Sequence, residues 1–341
     1  MPIQGPVRDV IRSPVIPTGK KRRDDIEGLR AVATLLIAGS LWSGVIERDR
    51  QRQLKLIADL TACPGAVVHL STELTDALPD LPVRPDTATT MKDTVVLTRD
   101  CNAVAVDTEL FRCDRGSPDA EHTIALVGSS HARHWYHALE ALSEKHGWHL
   151  VTMTKNACQF SAEDHLRVNG NPFWECDEWN AEAMAEIVDL QPDAVFTLGT
   201  LTRAEDDTSE RVPDGFVERW RELDALGIDV IAVRDTPRFS FSVPACADQN
   251  EPDTCTEEKA KSMSETPPYA ERSNQPGNTA FLDMTDYLCP DGVCSGVIGN
   301  QLVFYDSSHF TYTFSESLAV PMEPHLLEAL GLPPGETVTG R

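Results

Sequence analysis

Two short blocks, Gly128-Ser129-Ser130-His131 and Asp306-Ser307-Ser308-His309, hold the residue types that nucleophilic acyl chemistry requires. A serine hydroxyl attacks poorly until a general base takes its proton, and that base needs a partner to fix its tautomer. Ser130 can supply the hydroxyl, and His309 with Asp306 can supply base and partner from a single loop. The plainer alternative is that Ser129 or Ser130 only caps a helix, since serine is a preferred N-cap residue. Two such blocks in this order favour the catalytic reading.

The elements around Ser130 must present it. Ile124, Leu126 and Val127 form an apolar run that stops at Gly128, and Trp135, Leu139 and Leu142 then follow at the spacing of one helix face. The expected local structure is strand, tight turn, helix. Ser130 would then sit where free backbone N–H groups and the helix dipole favour a developing negative charge. Further strands are expected at 149–153, 194–198, 230–233 and 279–282, and helices at 180–190 and 216–226. Alternating units of this length predict a parallel sheet covered by helices on both faces, with ligands outside the carboxyl ends of the strands. Residues 61–121 lack periodicity and read as an irregular leader, while the proline-rich stretch 239–278 reads as a loop or lid. After Ser315 a helix is expected that Pro321 and Pro324 must interrupt or end, leaving 326–330 as its remnant.

With these residues in view, the chain resembles a known family. Gly128-Ser129-Ser130-His131 is similar to the GDSH nucleophile block of the SGNH hydrolase superfamily, and Asp306 to His309 to its closing DxxH block. More closely, the chain resembles the extracytoplasmic SGNH domain fused to membrane acyltransferases of acyltransferase family 3, which O-acylate cell-surface glycans. The resemblance implies Ser130 as nucleophile, His309 as base and Asp306 as its orienter, with His131 in the motif but outside the triad. It also implies a three-layer, flavodoxin-like α/β fold. Two departures stand out. Ser129 replaces the aspartate of GDSH, and Thr197-Leu198-Gly199-Thr200 stands where a GxND block would place an oxyanion asparagine. The remaining oxyanion or substrate-binding candidates are the Ser130 N–H, the turn at Gly128, and Asn156 just past the second strand.

The N-terminal stretch Arg23-Asp24-Asp25-Ile26-Glu27-Gly28-Leu29-Arg30-Ala31 resembles the opening signature of the family 3 acyltransferases, which leads into a first membrane helix. Here one apolar run at 31–46 is followed by a charged stretch, and no second hydrophobic span follows. The expected organisation is a disordered cytoplasmic tail at 1–22 and a remnant of the membrane signature serving as a single anchor at 23–46. A stalk and disulfide-tied leader follow at 47–121, then an SGNH domain at 122–330 and a tail at 331–341. A separate membrane acyl-donor protein would be the partner needed for transferase action, and water as acceptor would make the chain an esterase.

With 54 acidic against 30 basic residues the formal net charge is -24, which excludes nucleic-acid binding as a leading class. Eight of the nine cysteines form close pairs: Cys101 with Cys113, Cys158 with Cys176, Cys246 with Cys255, and Cys289 with Cys294. Such pairs predict disulfides in an oxidising compartment, with Cys63 left over. Zinc is the competing reading, but no C-x-x-C pair is present. His131, His134 and His137 recur every three residues and drift around a helix, so solvent-facing or capping roles are expected rather than metal ligation. No cofactor is implied. The sequence therefore predicts a membrane-anchored, extracytoplasmic acyltransferase or esterase acting on O-acyl groups of a cell-surface glycan or glycolipid. The alternative is a catalytically silent envelope-binding or scaffolding module.

Overall fold

The computed structural model describes residues 64–70, 82–94, 99–167, 169–202 and 210–333. The expected cytoplasmic tail, membrane anchor and stalk, together with Cys63, lie outside the described residues. Among the described residues no helix is long and apolar enough to cross a membrane.

The centre is a seven-stranded sheet. Its strands are β1 (Asn102–Ala103), β2 (Cys113–Arg115), β3 (Thr123–Gly128), β4 (His149–Lys155), β5 (Ala194–Leu198), β6 (Asp229–Val233) and β8 (Thr279–Leu282), and the shorter β7 (Thr256–Glu258) lies apart. The order is β1-β4-β3-β5-β6-β8, with β2 also on β4, and every pairing is parallel except β2 with β4. Both faces of the sheet are covered: all five residues of β5 are buried, as are all seven of β4, its His149, Thr152, Thr154 and Lys155 included. Trp135, Trp179 and Trp220 are each 0% exposed and anchor the helices to this sheet.

The helices are α1 (Ser130–Arg133), α2 (Tyr136–His146), α3 (Trp174–Leu190), α4 (Asp214–Ala225), α5 (Val243–Gln249), α6 (Tyr312–Ser317) and α7 (Ala319–Ala329). From β3 the chain moves outward to β4, then returns past β3 to β5, β6 and β8. The direction of winding therefore reverses between β3 and β5, which opens a crevice at their carboxyl ends. Ser130 begins the helix that leaves β3 at that point.

The three-layer α/β expectation holds, and so do the four disulfides, whose Cα atoms lie 5.2, 5.5, 5.8 and 3.8 Å apart in chain order. Other expectations are corrected. The leader is not wholly irregular: β1 and β2 both pair with β4, and the Cys101–Cys113 disulfide ties them together. The stretch 239–278 is more than a loop. It carries α5, strand β7 paired with β9 (Val293–Ser295), and the Cys246–Cys255 disulfide. α3 begins at Trp174, earlier than periodicity indicated, and its first turns bury Cys176, Trp179 and Asn180.

Nor do the prolines break the last helix. Pro321 falls in the first turn of α7, where the missing N–H would have no intrahelical partner. Pro324 does lie inside the helix, which nonetheless runs on to Ala329 because Met322, Leu326 and Leu327 are buried by packing.

Candidate active site

Gly128 ends β3 at φ +138°, and a Cβ there would lie 3.0 Å from the Cβ of Ala132. Only glycine meets both demands, so the strand can turn at once into α1. Ser129 then caps that helix: its Oγ accepts from the His131 N–H at 3.3 Å. The capping role suggested for serine thus falls to Ser129, and Ser130 is left with its side chain free for another partner.

That partner comes from the far end of the chain. Phe304 and Phe310, both 0% exposed, pair across an antiparallel bridge and pinch residues 305–309 into a tight loop. The Tyr305 N–H donates to the His309 carbonyl at 2.9 Å and closes it. Two contacts buttress the loop, Phe239 N–H before α5 to the Ser307 carbonyl (2.8 Å) and Val243 N–H, at the first residue of α5, to the Asp306 carbonyl (3.1 Å). The segment expected as a lid thus braces the loop.

Within the loop, Asp306 Oδ1 accepts from the N–H groups of Ser308 and His309, both at 2.8 Å. Its Oδ2 lies 2.8 Å from His309 Nδ1, and His309 Nε2 lies 2.9 Å from Ser130 Oγ. Burial pushes the Asp306 carboxyl up, but the bonds and charge of His309 and the two N–H donors outweigh it and hold it at about 2. An anionic Asp306 can only accept at Nδ1, which places the ring proton there and leaves Nε2 basic towards the serine hydroxyl. The arrangement can take a proton from Ser130 and return it to a leaving oxygen.

A second network lies behind the first, and sequence reasoning missed it. His131 Nδ1 meets Asp235 Oδ1 at 2.6 Å, and His131 Nε2 faces Ser308 Oγ at 3.4 Å. Asp235 is fully buried and also accepts from Thr202 N–H (2.8 Å), Thr202 Oγ1 (2.7 Å) and Thr236 N–H (2.8 Å). Thr236 Oγ1 and Arg238 Nη1 in turn donate to the carbonyl and hydroxyl of Ser308, at 3.2 and 3.3 Å. The network clamps the residue beside His309, and the His131 and His309 rings sit 4.6 Å apart. The available signal was position: Asp235 follows β6 at the carboxyl end of a parallel strand, as Ser130 follows β3.

His131, His134 and His137 are 6%, 2% and 7% exposed, which corrects the expectation that they face solvent. His134 stacks on Phe310 at 4.3 Å, and neither of its ring nitrogens has a partner among the described residues. Burial holds it well below the ordinary histidine range, and burial likewise pulls His131 down to about 4 against the opposing Asp235. Arg238 and His309 add positive charge near both rings and reinforce the shift.

A histidine whose folded-state pKa is depressed leaves the unfolded chain binding more protons between the two values, so stability falls as pH drops through that window. We expect folding stability to decline from about pH 6.5 towards 4, by on the order of 3 kcal/mol for His131 alone. Asp306, titrating near 2, remains ionised through that window. Urea denaturation at pH 7 and pH 5 checks this, and His134→Phe should flatten the slope. A pH-independent midpoint would contradict it.

The oxyanion candidates are only partly assembled. Ser130 is the first residue of α1, so its N–H has no intrahelical acceptor. Asn156 Oδ1 accepts from Arg133 Nη1 (2.6 Å) and Asn102 Nδ2 (3.2 Å), which leaves Asn156 Nδ2 without a partner among the described residues. Thr200, which closes the stretch standing where a GxND block would lie, is 0% exposed; its hydroxyl donates to Glu210 at 2.6 Å and accepts from the Asp235 N–H at 2.9 Å. That strand end has been committed to the buried network.

Comparison with known proteins gives two findings. The sequence model described as "SGNH domain (fused to AT3 domains)" matches residues 99–324. Among solved structures, the periplasmic domain of a lipopolysaccharide acetyltransferase from Salmonella ser. Paratyphi A is similar in fold, with a TM-score of 0.51 and 14% identity. The similarity covers 72% of this chain and 98% of that one. No curated protein matches.

Proposed function

Because the chain belongs to the family of SGNH domains fused to AT3 domains, we propose that it performs acyl-ester chemistry on O-acyl groups of a cell-envelope carbohydrate, outside the cytoplasm. The observation that carries this reading is the 2.9 Å contact between Ser130 Oγ and His309 Nε2, backed by Asp306 at 2.8 Å. In this reading His309 takes the Ser130 proton as the oxygen attacks the acyl carbon. His309 then gives that proton to the departing alkoxide, leaving an acyl-serine. A second hydroxyl, activated by the same imidazole, resolves the acyl-serine; an acceptor sugar gives transfer and water gives hydrolysis.

The oxyanion would be met by the Ser130 N–H and Asn156 Nδ2, with Gly128 setting the turn. The loss of one donor relative to the wider superfamily costs about 10²- to 10³-fold in rate, so slow turnover is part of the proposal. Four disulfides support an oxidising compartment, and the similar solved structure is itself periplasmic by its description. Anchoring by residues 31–46 and an acyl donor from a separate membrane protein belong to the same proposal.

The test is acetyl release by the full-length oxidised chain from 4-nitrophenyl acetate and from an O-acetylated polysaccharide. Slow release from both, lost in Ser130→Ala, is the expected result. Binding of the polysaccharide without any release would favour the silent envelope-binding module.

A further inference from the structure

Arg133 lies three residues after Ser130 on α1, so the two side chains share a helix face. Both line one pocket of about 250 Å³, together with His134, Tyr305, Met91 and Thr94. The guanidinium is held rigidly. Its Nη1 donates to the side-chain oxygens of Asn102 and Asn156, at 2.5 and 2.6 Å. The leader strand β1 supplies Asn102, and the loop after β4 supplies Asn156.

What Arg133 lacks is a carboxylate. Among the described residues no acidic group lies within ion-pair distance of it, whereas Arg219 meets Glu222, and Arg234 meets both Glu210 and Asp283. In a chain with 54 acidic residues that is a notable gap at a substrate pocket. Two amide oxygens fix the guanidinium in place without discharging it, so its full positive charge remains for an incoming group. Burial disfavours that charge, a cost that a bound anion would offset.

The Nε and Nη2 atoms of Arg133 have no partner among the described residues, and neither is a buried atom. Tyr305 offers a second free donor. Its hydroxyl bonds to no described residue, and burial next to Asp306 keeps it protonated. Its ring stacks on His309, 5.4 Å between centroids and 15° from parallel, which ties the donor to the reacting imidazole. A forked cation and a phenol beside one another match a planar or tetrahedral oxyanion.

We propose that Arg133 and Tyr305 form an anion-binding subsite beside Ser130, so that the carbohydrate this site takes carries a carboxylate or phosphate close to the reacting hydroxyl. The proposal rests on the reading of Ser130 as nucleophile, yet its binding step can be measured without turnover. The selection would be of acidic sugars over neutral ones, with the acyl chain left to the rest of the pocket.

The experiment is calorimetric titration of the full-length Ser130→Ala chain with glucuronate, glucose 6-phosphate and glucose. At least one of the two anions should bind on the order of 10- to 100-fold more tightly than glucose, the size of a charge-assisted hydrogen bond. Which anion binds better separates a uronate from a sugar phosphate. Adding Arg133→Met should remove the preference, and Arg133→Gln should do the same while keeping a donor for Asn102 and Asn156 if methionine harms folding. No preference over glucose, or one that survives both substitutions, overturns the subsite.

In the active chain the same anion should raise KM for 4-nitrophenyl acetate while kcat holds. Should it lower kcat and leave KM unchanged, Arg133 is not a subsite beside the nucleophile. Because the titrations use Ser130→Ala, the subsite can stand if Ser130 proves not to be the nucleophile, and it can fail while acyl transfer is upheld.

Discussion

Replacing His309 with alanine is expected to lower kcat for ester hydrolysis by on the order of 10⁴- to 10⁶-fold, the range seen when a base is removed from comparable serine sites. Among the described residues the imidazole is the one group that hydrogen-bonds Ser130 Oγ, at 2.9 Å. His131 is not available as a substitute base, since its Nδ1 is engaged by Asp235 and its Nε2 faces Ser308.

Asp306→Asn should cost less than this, though still on the order of 10⁴-fold. An asparagine oxygen can go on accepting from the Ser308 and His309 N–H groups, so the loop keeps its shape. Its amide nitrogen would then face His309 Nδ1 as a donor and drive the ring proton to Nε2, the wrong tautomer for a base. Steady-state kinetics on 4-nitrophenyl acetate, with circular dichroism to confirm folding, measures both. A folded His309→Ala protein within tenfold of the wild-type rate would contradict the assignment.

The second large effect concerns stability. Asp235→Ala should destabilise the fold by about 3 to 5 kcal/mol, since it removes the anionic half of a buried charged network. The substitution strands the Thr202 and Thr236 N–H groups, leaves His131 Nδ1 only a 3.4 Å contact with Thr236 Oγ1 and the Thr202 hydroxyl only the Thr236 carbonyl at 3.1 Å, and takes from Arg238 its nearby anion at 3.9 Å. Each buried donor left unpaired carries its own desolvation cost. Equilibrium urea denaturation gives the number. A loss below about 1 kcal/mol would mean that water or a shifted side chain replaces the carboxylate.

Much of this site was legible in the sequence because it is local. Gly128 to His131 and Asp306 to His309 are each contiguous, and the apolar run before Gly128 announces the strand that presents Ser130. The disulfides were legible for the same reason, each closing a short loop. The His131 and Asp235 network was not, because those residues are 104 positions apart and, although His131 belongs to the nucleophile block, Asp235 sits in no motif. Histidine periodicity misled as well: His131 lies in α1, His134 caps it and His137 lies in α2, so the three do not share one helix, and Asp235, Phe310 and Tyr312 respectively pack against them. The leader concealed two strands because two- and three-residue strands are too short to show alternation, and pairing with β4 decides them instead.

The central claim is that Ser130 carries the acyl group, and trapping it on that residue is the most direct test. The full-length chain treated with a fluorophosphonate, a phosphorus analogue of the tetrahedral intermediate, should gain the mass of one adduct, which peptide mapping places on Ser130. Labelling should vanish in Ser130→Ala and slow greatly in His309→Ala. No adduct, or equal labelling of the Ser130→Ala protein, would contradict the account.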